Sequence, residues 1–108
     1  MDKYSLTDAV AQQLEQASQS AAGRRTDTIV GGSRKRLRQS VVTLMEGTRL
    51  AEHDYPGEST LQVLSGVVRL DAGDDTETCR EGDLLIIPPA RHSLTAVTDA
   101  AVLLTVAK

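Results

Sequence analysis

Aromatic side chains are almost absent from this sequence of 108 residues. It has no Trp and no Phe, and its only aromatics are Tyr4 and Tyr55. Pockets that hold nucleic-acid bases or other aromatic ligands usually stack them on several rings. The scarcity therefore argues against a stacking site. The net charge of −3 likewise provides no general attraction to nucleic acid or to an anionic membrane.

Cysteines and long apolar runs are also scarce. Cys79 is the only cysteine, so no disulfide forms within one chain. No apolar run approaches the roughly 20 residues that span a bilayer. The N-terminal sequence MDKYSLTDAV lacks the basic and then apolar pattern of a secretory signal. We therefore expect a cytoplasmic protein with no membrane partner. Its size, with 40% hydrophobic and 25% charged residues, suits one globular domain.

The N-terminal segment predicts one amphipathic helix, from Ser5 to Ala22. Ser5 and Thr7 are suitable N-cap residues, and Gly23 is a suitable stop. The apolar stripe is thin and rich in alanine, so the helix needs a larger surface on which to pack. We expect residues 1–25 to form a helix on the outside of a barrel domain made by residues 26–108.

From residue 26 onward, short β-prone runs alternate with turns. Turn signals every 8–12 residues are typical of an all-β sandwich or barrel. Asp71 to Asp75 is a polar turn of the kind that joins hairpin strands. The predicted strands are Thr28–Val30, Leu37–Met45, Thr60–Leu64, Val67–Leu70, Thr76–Arg80, Leu84–Ile87 and Ala100–Val106.

Three of these strands are apolar on both faces. They are VVTLM at 41–45, LLII at 84–87 and AVLLTV at 101–106. A sheet with one face in water would alternate apolar and polar residues. The outer face is therefore expected to be covered by the helix, by a second subunit or by both, and we predict a homodimer.

Two segments carry glycine and histidine at a distinctive spacing. In the first, Gly47 precedes His53 by five intervening residues, and Ser59 precedes Gly66 by six. In the second, five residues separate Gly82 from Pro88, and His92 follows. This arrangement resembles the paired motifs of the cupin superfamily. The resemblance implies an all-β fold, a small RmlC-like cupin jelly-roll β-barrel with one N-terminal α-helix, and it agrees with a dimer.

The resemblance also identifies candidate site residues. Cupins of the mononuclear type bind a divalent metal with three histidines and one carboxylate inside the barrel. His53 occupies the first histidine position and His92 lies close to the third, whereas Tyr55 and Ser59 stand where the second histidine and the acidic ligand belong. Imidazole suits Fe, Mn, Ni or Zn. Glu58, beside the acidic position, would supply a carboxylate if the loop shifted by one residue.

Metal binding is therefore expected to be absent or weak. The other interpretation is a two-histidine, one-carboxylate set made by His53, His92 and Glu58. Without metal, His53, Tyr55, Ser59 and His92 still line the predicted ligand site, where a neutral histidine can act as an acid, a base or a hydrogen-bond donor. No catalytic residue follows from the sequence, and whether the protein is an enzyme stays open.

Two further features favour structural roles. Cys79 is expected to be a buried thiol rather than a nucleophile. The basic run from Arg34 to Arg38 is expected to be a solvated strand edge, since lysine and arginine protect edges against unwanted pairing. Nucleic-acid binding is the less favoured interpretation.

Three functional hypotheses remain. The first is a cupin that binds a small molecule, with at most a weak divalent metal. The second is a metal-dependent enzyme of the dioxygenase or isomerase type that uses His53, His92 and Glu58. The third is a degenerate, non-catalytic cupin that acts through its dimer surface. The fold alone does not choose between them.

Overall fold

Strands make up most of the chain. A computed structural model describes residues 1–53 and 57–108, with only the backbone described for residues 52 and 53. Its elements are α1 Leu6–Gln19, β1 Arg24–Val30, β2 Leu37–Leu44, β3 Arg49–His53, β4 Glu58–Ser65, β5 Val67–Ala72, β6 Asp75–Arg80, β7 Leu84–Ile86, β8 His92–Ala96 and β9 Ala100–Ala107. No helix within this described part is long and apolar enough to cross a membrane.

The strands form two antiparallel sheets that enclose one core. The five-stranded sheet has the order β1-β2-β9-β4-β7, and the four-stranded sheet has the order β3-β8-β5-β6. Most inner side chains of both sheets are apolar and pack against each other. They include Val42, Leu44, Leu61, Val63, Val68, Leu70, Leu94 and Val102. The prediction of a small all-β barrel with one N-terminal helix is confirmed.

The helix starts as predicted but ends earlier. The Ser5 hydroxyl accepts a hydrogen bond of 3.2 Å from the amide of Asp8, which is an N-cap contact. The last helical residue is Gln19, because Ser20 has an extended backbone and its hydroxyl accepts a hydrogen bond of 3.2 Å from the amide of Ala22. A serine side chain competes with the helix for backbone donors in this way. The prediction that the helix continues to Ala22 was wrong.

The helix packs on the outside of the five-stranded sheet, where it contacts β1, β2 and β9. Ala17 is completely buried there. The side-chain amide of Gln13 donates to Asp27 at 2.9 Å, and the Thr43 hydroxyl donates to the Gln13 carbonyl at 3.3 Å. The division between residues 25 and 26 remains a proposal, since β1 already begins at Arg24.

Two strands were not predicted from the sequence, β3 and β8. They pair with each other in the four-stranded sheet, and each is only five residues long. Strand β1 also begins four residues before Thr28, with exposed side chains from Arg24 to Thr28. An edge strand of this kind gives no hydrophobic signal.

The glycines that carry the family resemblance stand at turns with a left-handed backbone. Gly47, Gly66 and Gly82 have φ angles of +82°, +78° and +90°. Residues with a Cβ rarely adopt these angles. Gly66 has a second constraint, because a Cβ there would lie 2.1 Å from the carbonyl oxygen of Asp99. The glycine spacing therefore reflects backbone geometry at the turns.

The outer face of the five-stranded sheet is covered only in part. On the five-stranded sheet, Val41 and Ala101 point outward and are completely buried where α1 covers that half of the face. At the other end, β7 leaves Leu84 65% and Ile86 76% exposed. Strand β7 is an edge strand that pairs only with β4 among the described residues. Part of the predicted apolar outer face is thus uncovered in one chain.

Cys79 is buried, whereas most of the basic run is exposed. Cys79 is buried in the core, and burial together with the charges of Asp83 and Glu77 raises the pKa of its thiol. The protonated thiol is a poor nucleophile at neutral pH. The basic run lies in the turn before β2 and in the first two residues of that strand. Residues 34–37 are exposed, whereas Arg38 is partly buried and has the inward parity of Val42 and Leu44.

Candidate ligand site at the barrel mouth

The two histidines of the chain occupy opposing positions on neighbouring strands. His53 ends β3, His92 begins β8, and their Cα atoms are direct partners in the antiparallel pairing of these strands. Directly opposed residues of an antiparallel pair have Cβ atoms about 5 Å apart. The predicted ligand Tyr55 and the side chain of His53 lie outside the described residues.

His92 faces the interior of the barrel and is only 3% exposed. It lines a cavity of about 30 Å³. One ring nitrogen, Nδ1, lies 2.9 Å from the carbonyl oxygen of Ala90. Since a carbonyl can only accept, Nδ1 is the donor of this hydrogen bond. The other described residues that line the cavity are apolar: Val42, Leu50, Leu61, Leu70, Ile87, Leu94, Val102 and Leu104.

The turn before His92 explains how this residue reaches the inside of the barrel. The amide of Ala90 donates to the carbonyl of Pro88 at 2.7 Å, which closes a three-residue turn. The amide of Ile87 donates to the carbonyl of Ser59 at 3.1 Å and ties the turn to β4. This turn and its link to β4 place His92 at the start of β8, on the inner face of the sheet.

The size of the cavity limits what it can contain. A volume of about 30 Å³ is enough for one or two water molecules. Pockets for small ligands usually have several hundred Å³. A ligand that contacts His92 must therefore lie at the mouth of the barrel or displace part of its wall.

Two candidate residues, Ser59 and Glu58, lie on opposite faces of β4. Ser59 is 6% exposed and has the inward parity of Leu61. Its hydroxyl has no hydrogen-bond partner among the described residues. Glu58 is exposed and belongs to the opposite face of the strand. Pairing of Glu58 with Ala107 in β9 fixes this register, so the one-residue shift that would bring Glu58 inward does not occur.

The donor set does not fit the metal site that the resemblance implies. Three imidazoles cannot come from a chain with two histidines. Among the side chains that the structure describes, which do not include those of residues 52–56, no group of three His, Cys, Asp or Glu is suited to hold a metal ion. Metal sites with fewer than three good protein ligands bind weakly.

Comparison with solved structures identifies the architecture. A conserved protein of unknown function from Streptococcus pyogenes has a TM-score of 0.73 and 28% identity, over 82% of this chain and 77% of that chain. An RmlC-like cupin protein from Desulfovibrio desulfuricans has a TM-score of 0.75 and 24% identity, over 99% and 96% of the two chains. The chain has the cupin fold. No protein-family model and no curated protein matches it.

A larger cupin-fold enzyme is also similar. Salicylate 1,2-dioxygenase from Pseudoaminobacter salicylatoxidans, in a mutant form in complex with gentisate, has a TM-score of 0.82 and 20% identity. The match covers 96% of this chain but only 33% of the dioxygenase, so the chain spans about a third of that enzyme's length. At this identity the likeness shows the fold alone.

Sequence reasoning missed the apolar partners of His92. Leu50 and Leu94 line the cavity from β3 and β8. Neither strand was predicted. Leu50 lies between the turn before β3 and His53, and Leu94 lies between His92 and the turn after β8. A period of two across His92, Leu94 and Ala96 was the available signal, and it extends over only five residues.

Proposed function

We propose that this chain is a small single-domain cupin that binds a small molecule at its barrel mouth. The ligand site consists of His53, Tyr55, Ser59 and His92. The observation that supports it best is His92, a buried ring at one end of an otherwise apolar cavity. Small-molecule pockets have mostly apolar walls, with a few polar groups that fix the orientation of the ligand.

Binding is favoured over metal-dependent catalysis because the ligand positions are poorly filled. Two histidines hold a divalent ion such as Fe, Mn, Ni or Zn only loosely, with water completing its coordination. Glu58 does not complete the set, since it lies on the opposite face of β4 from Ser59. The dioxygenase or isomerase alternative requires a carboxylate that the described residues do not bring to this cavity.

Fragment screening by NMR tests the site. We expect small polar fragments to shift the amide signals of His92 and of its cavity neighbours Leu50 and Ile87. Replacement of His92 by leucine, which has similar volume, should abolish these shifts because it removes the polar group that the described residues contribute to this cavity wall. Thr78→Val, an exposed change on β6, is the control and should keep them. Fragments that cluster on another surface would contradict the proposal.

We also propose that the protein is a homodimer. The exposed apolar side chains of the five-stranded sheet all point to its outer face: Leu37 at 44%, Leu84 at 65% and Ile86 at 76% exposure. Beyond the part covered by α1, Glu58 is the only charged residue among the outward positions of β2, β9, β4 and β7. A face with so little charge can pack on its own copy about a two-fold axis without strong repulsion.

Light scattering over a concentration series should give twice the 11.6 kDa chain mass. Ile86→Glu should convert the dimer to monomer, because it places a carboxylate in the buried face. Val97→Glu is the matched control, since Val97 is also exposed but lies in the turn between β8 and β9. A wild-type chain that stays monomeric at high concentration would contradict the dimer.

A further inference from the structure

The outer face of the four-stranded sheet carries two arginines on either side of a threonine. Arg49 of β3 and Arg69 of β5 are both Cα partners of Thr95 in β8. Their sequence neighbours Leu50, Leu70 and Leu94 face the core. Adjacent residues of a strand point to opposite faces, so all three side chains point outward. We call these three residues the arginine row.

Both guanidinium groups retain hydrogen-bond donors. Arg69 uses its Nε to contact Asp71 at 3.2 Å, which leaves its terminal nitrogens. Arg49 is exposed and forms no ion pair with any residue that the structure describes. Among the side chains that the structure describes, this part of the face has two guanidinium groups and one carboxylate, so it is net positive.

Asp71 is already engaged and does not neutralise both arginines. It accepts a hydrogen bond of 2.8 Å from the Thr76 hydroxyl in addition to its contact with Arg69. The Thr76 hydrogen bond, with further help from Arg69 and Arg49, keeps the pKa of Asp71 below its usual value. The influence of Arg49 on this carboxyl agrees with its place at the same part of the sheet.

Two buried hydroxyl groups of β8, one in the arginine row and one beside it, lack a hydrogen-bond partner among the described residues. Their oxygens are Thr95 Oγ1 and Ser93 Oγ. Ser93 is 1% exposed, although it has the outward parity of Thr95 and is the Cα partner of Asp71. Buried hydroxyl groups usually have a partner, so these two donors point to a group that completes the site.

We propose that the arginine row binds an oxyanion, the phosphate or carboxylate group of a small ligand. Arg49 and Arg69 are two strand spacings apart, roughly 10 Å between Cα atoms, so both side chains can converge above Thr95. Guanidinium groups match the geometry of such oxyanions with paired hydrogen bonds, and the Thr95 hydroxyl adds a donor from below. This site is separate from the barrel mouth, since it lies on the opposite face of the sheet from His92.

The test is an NMR titration of the full chain with sodium phosphate, and separately with acetate, at constant ionic strength. We expect saturable shifts of the Arg49 and Arg69 side-chain signals and of the Thr95 amide, with half-saturation on the order of millimolar. Response to phosphate alone assigns a phosphoryl ligand, and response to both assigns any oxyanion.

Matched variants decide whether the arginine row is responsible. Arg49→Ala and Arg69→Ala should each weaken binding about fivefold, and Arg49→Lys should have a smaller effect because lysine keeps the charge but not the planar fork. Arg24→Ala removes an equal charge from exposed β1 on the other sheet and should change nothing. Shifts that do not saturate, or that are the same in Arg49→Ala and in wild type, would overturn the proposal.

Discussion

Replacing Gly66 with alanine is expected to destabilise the protein by at least about 3 kcal/mol. Gly66 has φ +78°, where an L-residue loses roughly 1–2 kcal/mol. The added Cβ would also lie 2.1 Å from the carbonyl oxygen of Asp99 and 2.9 Å from the Cα of Ala100. Both contacts are with backbone, so the turn between β4 and β5 must move away from the start of β9.

Gly73→Ala separates these two causes. Gly73 has φ +61°, yet a Cβ there would meet no atom within 4 Å. Its replacement should therefore lose only the conformational part, about 1 kcal/mol. Urea denaturation of both variants measures the difference. Equal losses for Gly66→Ala and Gly73→Ala would show that the close approach at Gly66 has no energetic effect.

Leu44→Ala is the second change with a large expected effect. Leu44 is 1% exposed and belongs to the core between the sheets. Truncation leaves a cavity in a packed interior, and we expect a loss of about 3 kcal/mol in the free energy of unfolding. The measurement is urea denaturation at a concentration at which light scattering shows one species.

Leu84→Ala is the matched control for this core substitution. Leu84 is 65% exposed, so its truncation should change the stability of a single chain by less than about 1 kcal/mol. Any larger loss that depends on protein concentration would come from the proposed dimer face. A Leu44→Ala loss no greater than that of Leu84→Ala in monomer would contradict the assigned core.

The fold was predictable because its strongest signals are local. Glycines at positive φ mark the turns at Gly47, Gly66 and Gly82, and alternation marks β4, where Leu61 and Val63 face inward. The end of the helix was not predictable from periodicity. Ser20 leaves the helix because of its own side-chain hydrogen bond, a competition that an apolar stripe does not report.

The candidate site was less predictable because it depends on pairing between distant parts of the chain. The inward position of His92 follows from the family resemblance, and the structure places that residue at the cavity. The orientation of Glu58 is set by β9, at Ala107, and no nearby residue determines it. A shift of one residue in that pairing would exchange the faces of Glu58 and Ser59.

The coverage of the outer faces was also only partly predictable from the sequence. The sequence showed that β2, β7 and β9 are apolar on both faces, but not that the helix covers only one part of this face. Which half stays exposed depends on the strand order, which places β7 at the edge far from α1. The arginine row likewise forms from three strands that are distant in sequence.

Metal content of protein purified without chelator tests the central claim most directly. The proposed binding function predicts far less than one bound transition metal per chain, and no change on replacing His53 or His92 with alanine. The physical reason is the incomplete donor set around two histidines. Near-stoichiometric iron, manganese, nickel or zinc that disappears in both alanine variants would contradict this account and favour a metal-dependent enzyme.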